Sequence, residues 1–255
     1  MSWLGGNAVG LVLVVILFVG FHSLIPAETG RVYNYPHFGF SSYVEGQQRS
    51  VAEGEQALDA VLFDGAGDLV LLSSPWSRKP IVVEFGSITC PVFVGNVPTM
   101  NGVADKYREE VDFYVLYTRE AHPGQNYPAH QSLEAKLQCA ADLVQAEGVV
   151  RTILVDGVGG ETHQAYGAMP NSVYLIGSDG VIAHRADWLN PGILEQQIDL
   201  LLEAGGEGAA IPPTSLSGNF TQVNHRAMGT AMRVFARAGL ASGADFFSNF
   251  PAMAH

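Results

Sequence analysis

The chain has 255 residues, 47% of them hydrophobic, with 13 basic against 25 acidic side chains and a net charge of −12. This length accommodates one domain with extensions, and the acidic balance excludes nucleic acid or anionic lipid as a partner of the folded part, where residues 80–205 hold six basic and sixteen acidic side chains. Only two cysteines are present, Cys90 and Cys139, so the placement of each carries information.

In chain order, residues 3–25 form an almost uncharged run rich in Val, Leu, Ile and Phe, with Trp3 and His22 where interfacial side chains would sit. About 20 apolar residues span a bilayer, so residues 1–25 are expected to be a single membrane anchor. The rival reading, a cleaved signal peptide, calls for Lys or Arg before the run and a small-x-small site after it. The first is missing, and Leu24-Ile25-Pro26-Ala27-Glu28 is a poor version of the second. Arg31 is the one nearby downstream cation, so the charge rule for orientation is nearly silent. A short N-tail followed by an acidic globular part resembles a bacterial signal anchor. The expectation is a single-pass protein of the bacterial inner membrane, with its globular domain on the periplasmic side.

Residues 26–53 read as a linker that packs on something, because Tyr33, Tyr35, Phe38, Phe40 and Tyr43 are costly to leave in water. Ala60-Val61-Leu62-Phe63 and Leu69-Val70-Leu71-Leu72 flank Asp64-Gly65-Ala66-Gly67-Asp68 and predict a hairpin. The acidic turn lacks the distal glutamate of a calcium loop and is read as a plain turn.

Strands are then predicted over 81–85, 111–117, 152–155, 172–176 and 181–184, and helices over 91–108, 131–146 and 191–204. Alternating strands and helices imply an α/β domain over 54–205, with a mixed sheet covered on both faces. Beyond Gly205-Gly206-Glu207-Gly208, a helix is predicted over 223–240, with Met228, Met232 and Phe235 on one face and Arg226, Arg233 and Arg237 largely on another. The end, from Ala244 to Pro251, is aromatic and would be sticky if free. Residues 1–50 and 206–255 are therefore expected to contact other proteins of a membrane complex.

The chemistry centres on Ile81-Val82-Val83-Glu84-Phe85-Gly86-Ser87-Ile88-Thr89-Cys90-Pro91. A β-branched run ends in a Gly-Ser turn, and Pro91 suits the first turn of a helix. Cys90 thus stands at a strand's C-terminal end and a helix's N-terminal end, where free N–H groups and the helix dipole favour a thiolate. Ser87 and Thr89 can hydrogen-bond that sulfur or a leaving group, or serve as turn and capping residues. Glu120 and His122 follow strand 111–117 and come to the same sheet edge. A glutamate-polarised histidine there can supply a proton when a thiolate leaves or a carbanion forms. Cys139, mid-helix beside alanines, is read as a buried structural cysteine or as a resolving partner for oxidised Cys90, if the Cα atoms come within about 4.4–6.8 Å. No His-x-x-x-His, Glu-x-x-His or paired-cysteine spacing is present, so no metal site is expected.

The thioredoxin superfamily places its reactive cysteine at this junction, usually as Cys-x-x-Cys. Here Cys90-Pro91-Val92-Phe93 lacks the second cysteine, which excludes dithiol exchange within the motif. More specifically, Phe85-Gly86-Ser87-Ile88-Thr89-Cys90-Pro91 resembles the active-site signature of the iodothyronine deiodinase family, with cysteine in place of selenocysteine. The resemblance continues through Glu120-Ala121-His122-Pro123, Pro128-Ala129-His130-Gln131-Ser132-Leu133-Glu134, Ala165-Tyr166-Gly167-Ala168 and Val173-Tyr174-Leu175-Ile176. It implies a thioredoxin-like fold and a thiol oxidoreductase in which Cys90 is the nucleophile. Glu120 and His122 deliver protons, and His130 matches a family histidine facing the substrate. No bound cofactor is implied, only an external thiol reductant. Met169-Pro170 is similar to the cis-proline of ordinary thioredoxins, which faces the cysteine. Two positions depart from the family: Asn171-Ser172 replaces an acidic-basic pair, and Asp187-Trp188-Leu189 lies near a substrate-holding arginine. The expected activity is reductive dehalogenation or reduction of peroxide or disulfide. The alternative is a structural accessory subunit in which the redoxin domain is a packing module.

Overall fold

A computed structural model describes residues 33–39, 51–76, 78–212 and 220–249. The anchor expected over 1–25, and Phe40 and Tyr43, lie outside these residues. Among the described residues, no helix is long and apolar enough to cross a membrane.

Seven strands form one mixed sheet. They are β1 (Val61–Phe63), β2 (Leu69–Leu71), β3 (Ile81–Gly86), β4 (Asp112–Tyr117), β5 (Thr152–Val155), β6 (Val173–Ile176) and β7 (Ile182–Ala186), in the spatial order β2-β1-β5-β4-β3-β6-β7. β3 runs parallel to β4, and β4 to β5, while β6 is antiparallel to β3 and β7 to β6. The β1–β2 hairpin adds to β5 at the opposite edge. This arrangement is thioredoxin-like. β3 is central and buried along its whole length, which is why its sequence is a continuous apolar run broken only by Glu84. The period of two sorts its side chains. Ile81, Val83 and Phe85 join Leu116, Leu154 and Tyr174 in one core layer. Val82 joins Met100, Phe113 and Leu175 in the layer on the other face.

The helices are α1 (Pro91–Lys106), α2 (Leu133–Glu147), α3 (Glu161–Tyr166), α4 (Pro191–Glu203), α5 (Phe220–Ala238) and α6 (Leu240–Asn249). Local chemistry sets their ends. Ser132 caps α2 by accepting from Ala135 N at 3.2 Å, and Asn190 caps α4 ahead of Pro191. Gly148 ends α2 in the left-handed region at φ 65°. The predicted strands and long helices recur with ends within two or three residues. The six-residue α3 has no expected counterpart; it starts on Gly160 at φ 72° without a side-chain cap, so it leaves little trace in sequence.

The C-terminus corrects an expectation. The predicted helix ends as expected, at Gly239 (φ 109°), but most of the aromatic end that follows is a second helix folded back on the domain. A Cβ at Gly239 would lie 2.1 Å from Gln125 Oε1, so both the turn and the close approach require glycine here. α5 packs along α1, with Ala231, Val234 and Phe235 in the same apolar layer as Phe93, Val94 and Val97.

Candidate functional site

The turn after β3 is tight. A Cβ on Gly86 would lie 2.2 Å from the Phe93 ring, so glycine lets the first turn of α1 close over the strand end. Gly86 O accepts from Thr118 N at 3.0 Å and Ser87 O from Cys90 N at 3.1 Å, joining the ends of β3 and β4. Cys90 is then the N-cap of α1, its Sγ accepting from Phe93 N at 3.5 Å. The sequence-predicted placement is therefore realised, but the thiolate expected from it is not. Cys90 is 1% exposed, and burial pushes its thiol up to about 12, outweighing the amides of Phe93 and Val92 that favour the anion. The charges of Glu84 and Glu120 act in the same direction as burial.

A prediction follows for the Cys139→Ser chain, in which Cys90 is the sole thiol. Because the folded state keeps the proton above the ordinary value, alkylation of Cys90 by iodoacetamide should climb about tenfold per pH unit through and beyond pH 8.5. A plateau near 8.5 would contradict the buried, protonated thiol.

The polar centre of the site is Glu120. Thr89 donates to Glu120 Oε2 through its hydroxyl at 2.5 Å and its N–H at 3.3 Å, and the Tyr117 hydroxyl donates to Oε1 at 2.5 Å. His130 Nε2 lies 3.3 Å from the same Oε1, without hydrogen-bond geometry. Thr89 Oγ1 accepts from His122 N at 3.2 Å, and Ser87 Oγ accepts from Ala121 N at 3.1 Å. Ser87 and Thr89 thus tie the cysteine turn to the loop after β4. Tyr117 was not among the sequence candidates; its hydroxyl also accepts from Ile88 N at 3.3 Å.

His122 sits at the same sheet edge, but its ring does not meet Glu120. It is enclosed by Phe38 at 4.4 Å between ring centroids, Phe246 at 5.2 Å and Phe235 at 5.4 Å. Its Nδ1 is buried without a hydrogen-bond partner, and burial lowers its pKa to about 3. The ring is therefore a neutral imidazole at any working pH. The histidine beside Glu120 is His130, so the geometry redistributes the expected pair.

The remaining candidates are placed as follows. Cys139 packs against the apolar layer that holds Cys90, and both thiols are free. Burial pushes Cys139 up to about 12 as well. Ligand atoms of Glu120, His130 and Cys139 lie within 4.8 Å of one another, a grouping the sequence spacing did not reveal. Pro170 follows buried Met169, which packs with Trp188 and Val92 near the start of α1. No peptide bond among the described residues is cis, which corrects the cis-proline expectation. The Met169 carbonyl instead accepts from His163 at 3.0 Å and from Ser172 at 3.5 Å. Asn171 and Ser172 are buried, and Asn171 donates to Glu84 at 3.0 Å. They are core groups and offer no charge to a substrate.

Residues 33–38 complete the site. The Tyr33 hydroxyl lies 2.9 Å from His163 Nδ1, and the Tyr35 hydroxyl donates to Ala121 O at 2.8 Å. Arg119 stacks over both tyrosine rings, at 5.1 and 4.7 Å.

Residues 32–188, more than half of the chain, match the family model described as iodothyronine deiodinase. Human thyroxine 5-deiodinase is 31% identical over 134 residues, taking in 49% of this chain and 43% of that protein. The pig enzyme of the same name is 29% identical over 133 residues, with the same coverage. The chain thus spans less than half the length of these relatives. A crystal structure of an uncharacterized conserved protein from Geobacillus kaustophilus superposes with a TM-score of 0.51 at 19% identity, covering 64% of this chain and 86% of that one. That likeness is one of fold.

Proposed function

The chain belongs to the iodothyronine deiodinase family, and on that premise we propose that it is a thiol-dependent oxidoreductase with Cys90 as its nucleophile. The observation that carries this reading is the join between Cys90 and the Glu120 network. Thr89, next to the cysteine, donates to Glu120 by both hydroxyl and amide, and Tyr117 and His130 reach the other carboxylate oxygen.

In the dehalogenating version, the sulfur attacks iodine and the carbon–iodine bond breaks with its electron pair left on carbon. Carbon takes a proton from the Glu120 network, and the sulfur is left as a sulfenyl iodide. One external thiol displaces iodide to form a mixed disulfide, and a second releases Cys90 and leaves as disulfide. In the peroxide version, sulfur attacks one oxygen of hydrogen peroxide, the other leaves as water with the thiol's proton, and two thiols reduce the sulfenic acid, forming their disulfide and a second water. Neutral His122 can accept or donate one hydrogen bond to the substrate but holds no charge to transfer.

The test is thiol-dependent turnover of an iodothyronine, hydrogen peroxide and a small disulfide, each with dithiothreitol. Glu120→Gln should lower turnover of the accepted substrate about 10²-fold, the usual size of a lost proton-transfer group. Unchanged turnover in Glu120→Gln, or turnover of none of the three, would reject the reading.

A second reading has its own support. Cys90 is 1% exposed and protonated, as a cysteine in a packing module would be. On this reading the domain is a structural subunit of a membrane complex, and Cys90→Ser leaves assembly intact. Gentle detergent extraction and size analysis that returned a lone chain would count against it.

A further inference from the structure

We propose that the helical pair α5–α6 is a cover over Cys90 that must swing away before the sulfur can react, and that the contact of Arg233 and Arg237 with Glu147 is its latch. The inference rests on the reading of Cys90 as a reacting group.

Three observations lead to it. First, a part of the chain outside the family match, which ends at residue 188, closes on the ring of His122 together with Phe38 and shares the apolar layer that holds Cys90. Thr230 on α5 donates to Pro91 O at 3.2 Å, over the first turn of α1. Phe235 and Phe246 close on His122. An electrophile has no reach to a sulfur that is 1% exposed, so reaction requires that something move.

Second, the pair is held to the domain by separable side-chain and backbone hydrogen bonds as well as by its apolar face. Ser242 donates to His122 O at 2.8 Å, Asn126 donates to Ala238 O at 3.0 Å and to Arg237 O at 2.8 Å, and Ala241 N donates to Gln125 at 3.3 Å. The Asp245 carboxylate of α6 also lies 3.1 Å from His37 Nδ1, and between these attachments the pair meets the site through the rings of Phe235 and Phe246.

Third, beside the exposed His37–Asp245 pair, a contact of two arginines with one buried carboxylate spans the two parts. Glu147, the last residue of α2, accepts from both Arg233 and Arg237 of α5, and its side chain is 6% exposed while the arginines are 49% and 20% exposed. Two guanidinium groups on one carboxylate explain why the basic face of this helix, conspicuous in an acidic chain, is turned toward the domain.

Opening also resolves the chemistry of the thiol. Closed, the sulfur is held protonated by burial; opened, it regains water and keeps the amides of Phe93 and Val92 that favour the anion. The cover is then a gate on reactivity as well as on access.

The experiment measures iodoacetamide labelling of Cys90 in the full Cys139→Ser chain, by intact mass, against urea and salt. Opening of the cover alone predicts labelling with a urea slope well below that of global unfolding, because only the face of the helical pair and its bed are exposed. Raising sodium chloride from 0.1 to about 0.5 M should speed it by screening the latch. Glu147→Gln should speed labelling roughly five- to tenfold and remove the salt effect. Labelling that follows the urea slope of global unfolding overturns the proposal, as does a wild-type rate in folded Glu147→Gln. If that variant fails to fold, the urea and salt arms on the parent chain decide alone. Faster labelling without turnover of any electrophile keeps the cover and rejects the enzyme reading. Turnover that needs Cys90 in a chain labelled freely from the start keeps the enzyme and rejects the cover.

Discussion

Cys90→Ser is expected to lower thiol-dependent turnover of every accepted electrophile by about 10³-fold or more, while the protein stays folded. The two halves of this expectation have separate causes. Serine is a preferred N-cap residue, and its hydroxyl can take over the hydrogen bond that Phe93 N donates to sulfur, so α1 keeps its start. A hydroxyl is, however, a poor nucleophile toward iodine, sulfur or peroxide oxygen. It also has no accessible oxidised state for an external thiol to reduce. Cys139→Ser gives the contrast: it should leave the first turnover intact and slow only recovery. The measurement is single- and multiple-turnover kinetics beside a thermal melt. Comparable turnover in Cys90→Ser with an unchanged melt would remove the sulfur from the mechanism.

The second large effect is on stability. Glu84 points from mid-β3 into the apolar layer beneath α1, fully buried, with Arg151 on one oxygen and Asn171 on the other. Arg151 has Nε and Nη2 buried without hydrogen-bond partners. Burial raises the Glu84 pKa, and the guanidinium only partly offsets it. Such a pair is costly to build and costlier to break. Glu84→Ala strands the arginine charge and should destabilise the fold by about 3–5 kcal/mol. That corresponds to a fall in melting temperature on the order of 10 °C for a domain of this size. Glu84→Leu combined with Arg151→Met, which removes both charges and keeps the volume, should recover most of the loss. Additive losses in the double variant would contradict the pairing.

Glu84 also shows where sequence reading reaches its limit. A lone acid in the apolar run 81–86 is visible, but its partner is Arg151, the residue just before β5, and nothing local connects them. The strand-turn-helix around Cys90 was legible, because Gly86, Pro91 and the apolar runs act over a few residues. The hairpin around Asp64 was legible for the same reason. The partner of Glu120 was not: sequence proximity pointed to His122, whereas the loop from Ala121 to Gln131 carries His130 back to the carboxylate and turns His122 into the aromatic box. The thiol's protonation also escaped, since helix-start position argues for a thiolate and only the packed structure shows that burial wins. The aromatic end read as a sticky surface because Phe246 is apolar; that it covers this same domain is a tertiary fact.

The segment 33–38 bears on where this chain can be cut. Tyr33 fills the space beside Gly160, where a Cβ would lie 1.9 Å from its ring, and it stacks under Arg119. Its ring also lies 5.9 Å from the ammonium of Lys136, a lysine that burial lowers to about 8. A fragment begun at residue 54, as the apolar runs alone would suggest, leaves Arg119, Lys136 and His163 without their lid of tyrosine. The recombinant boundary should therefore fall before Tyr33, so that Tyr33 and Tyr35 of the apparent linker are retained as part of the folded unit.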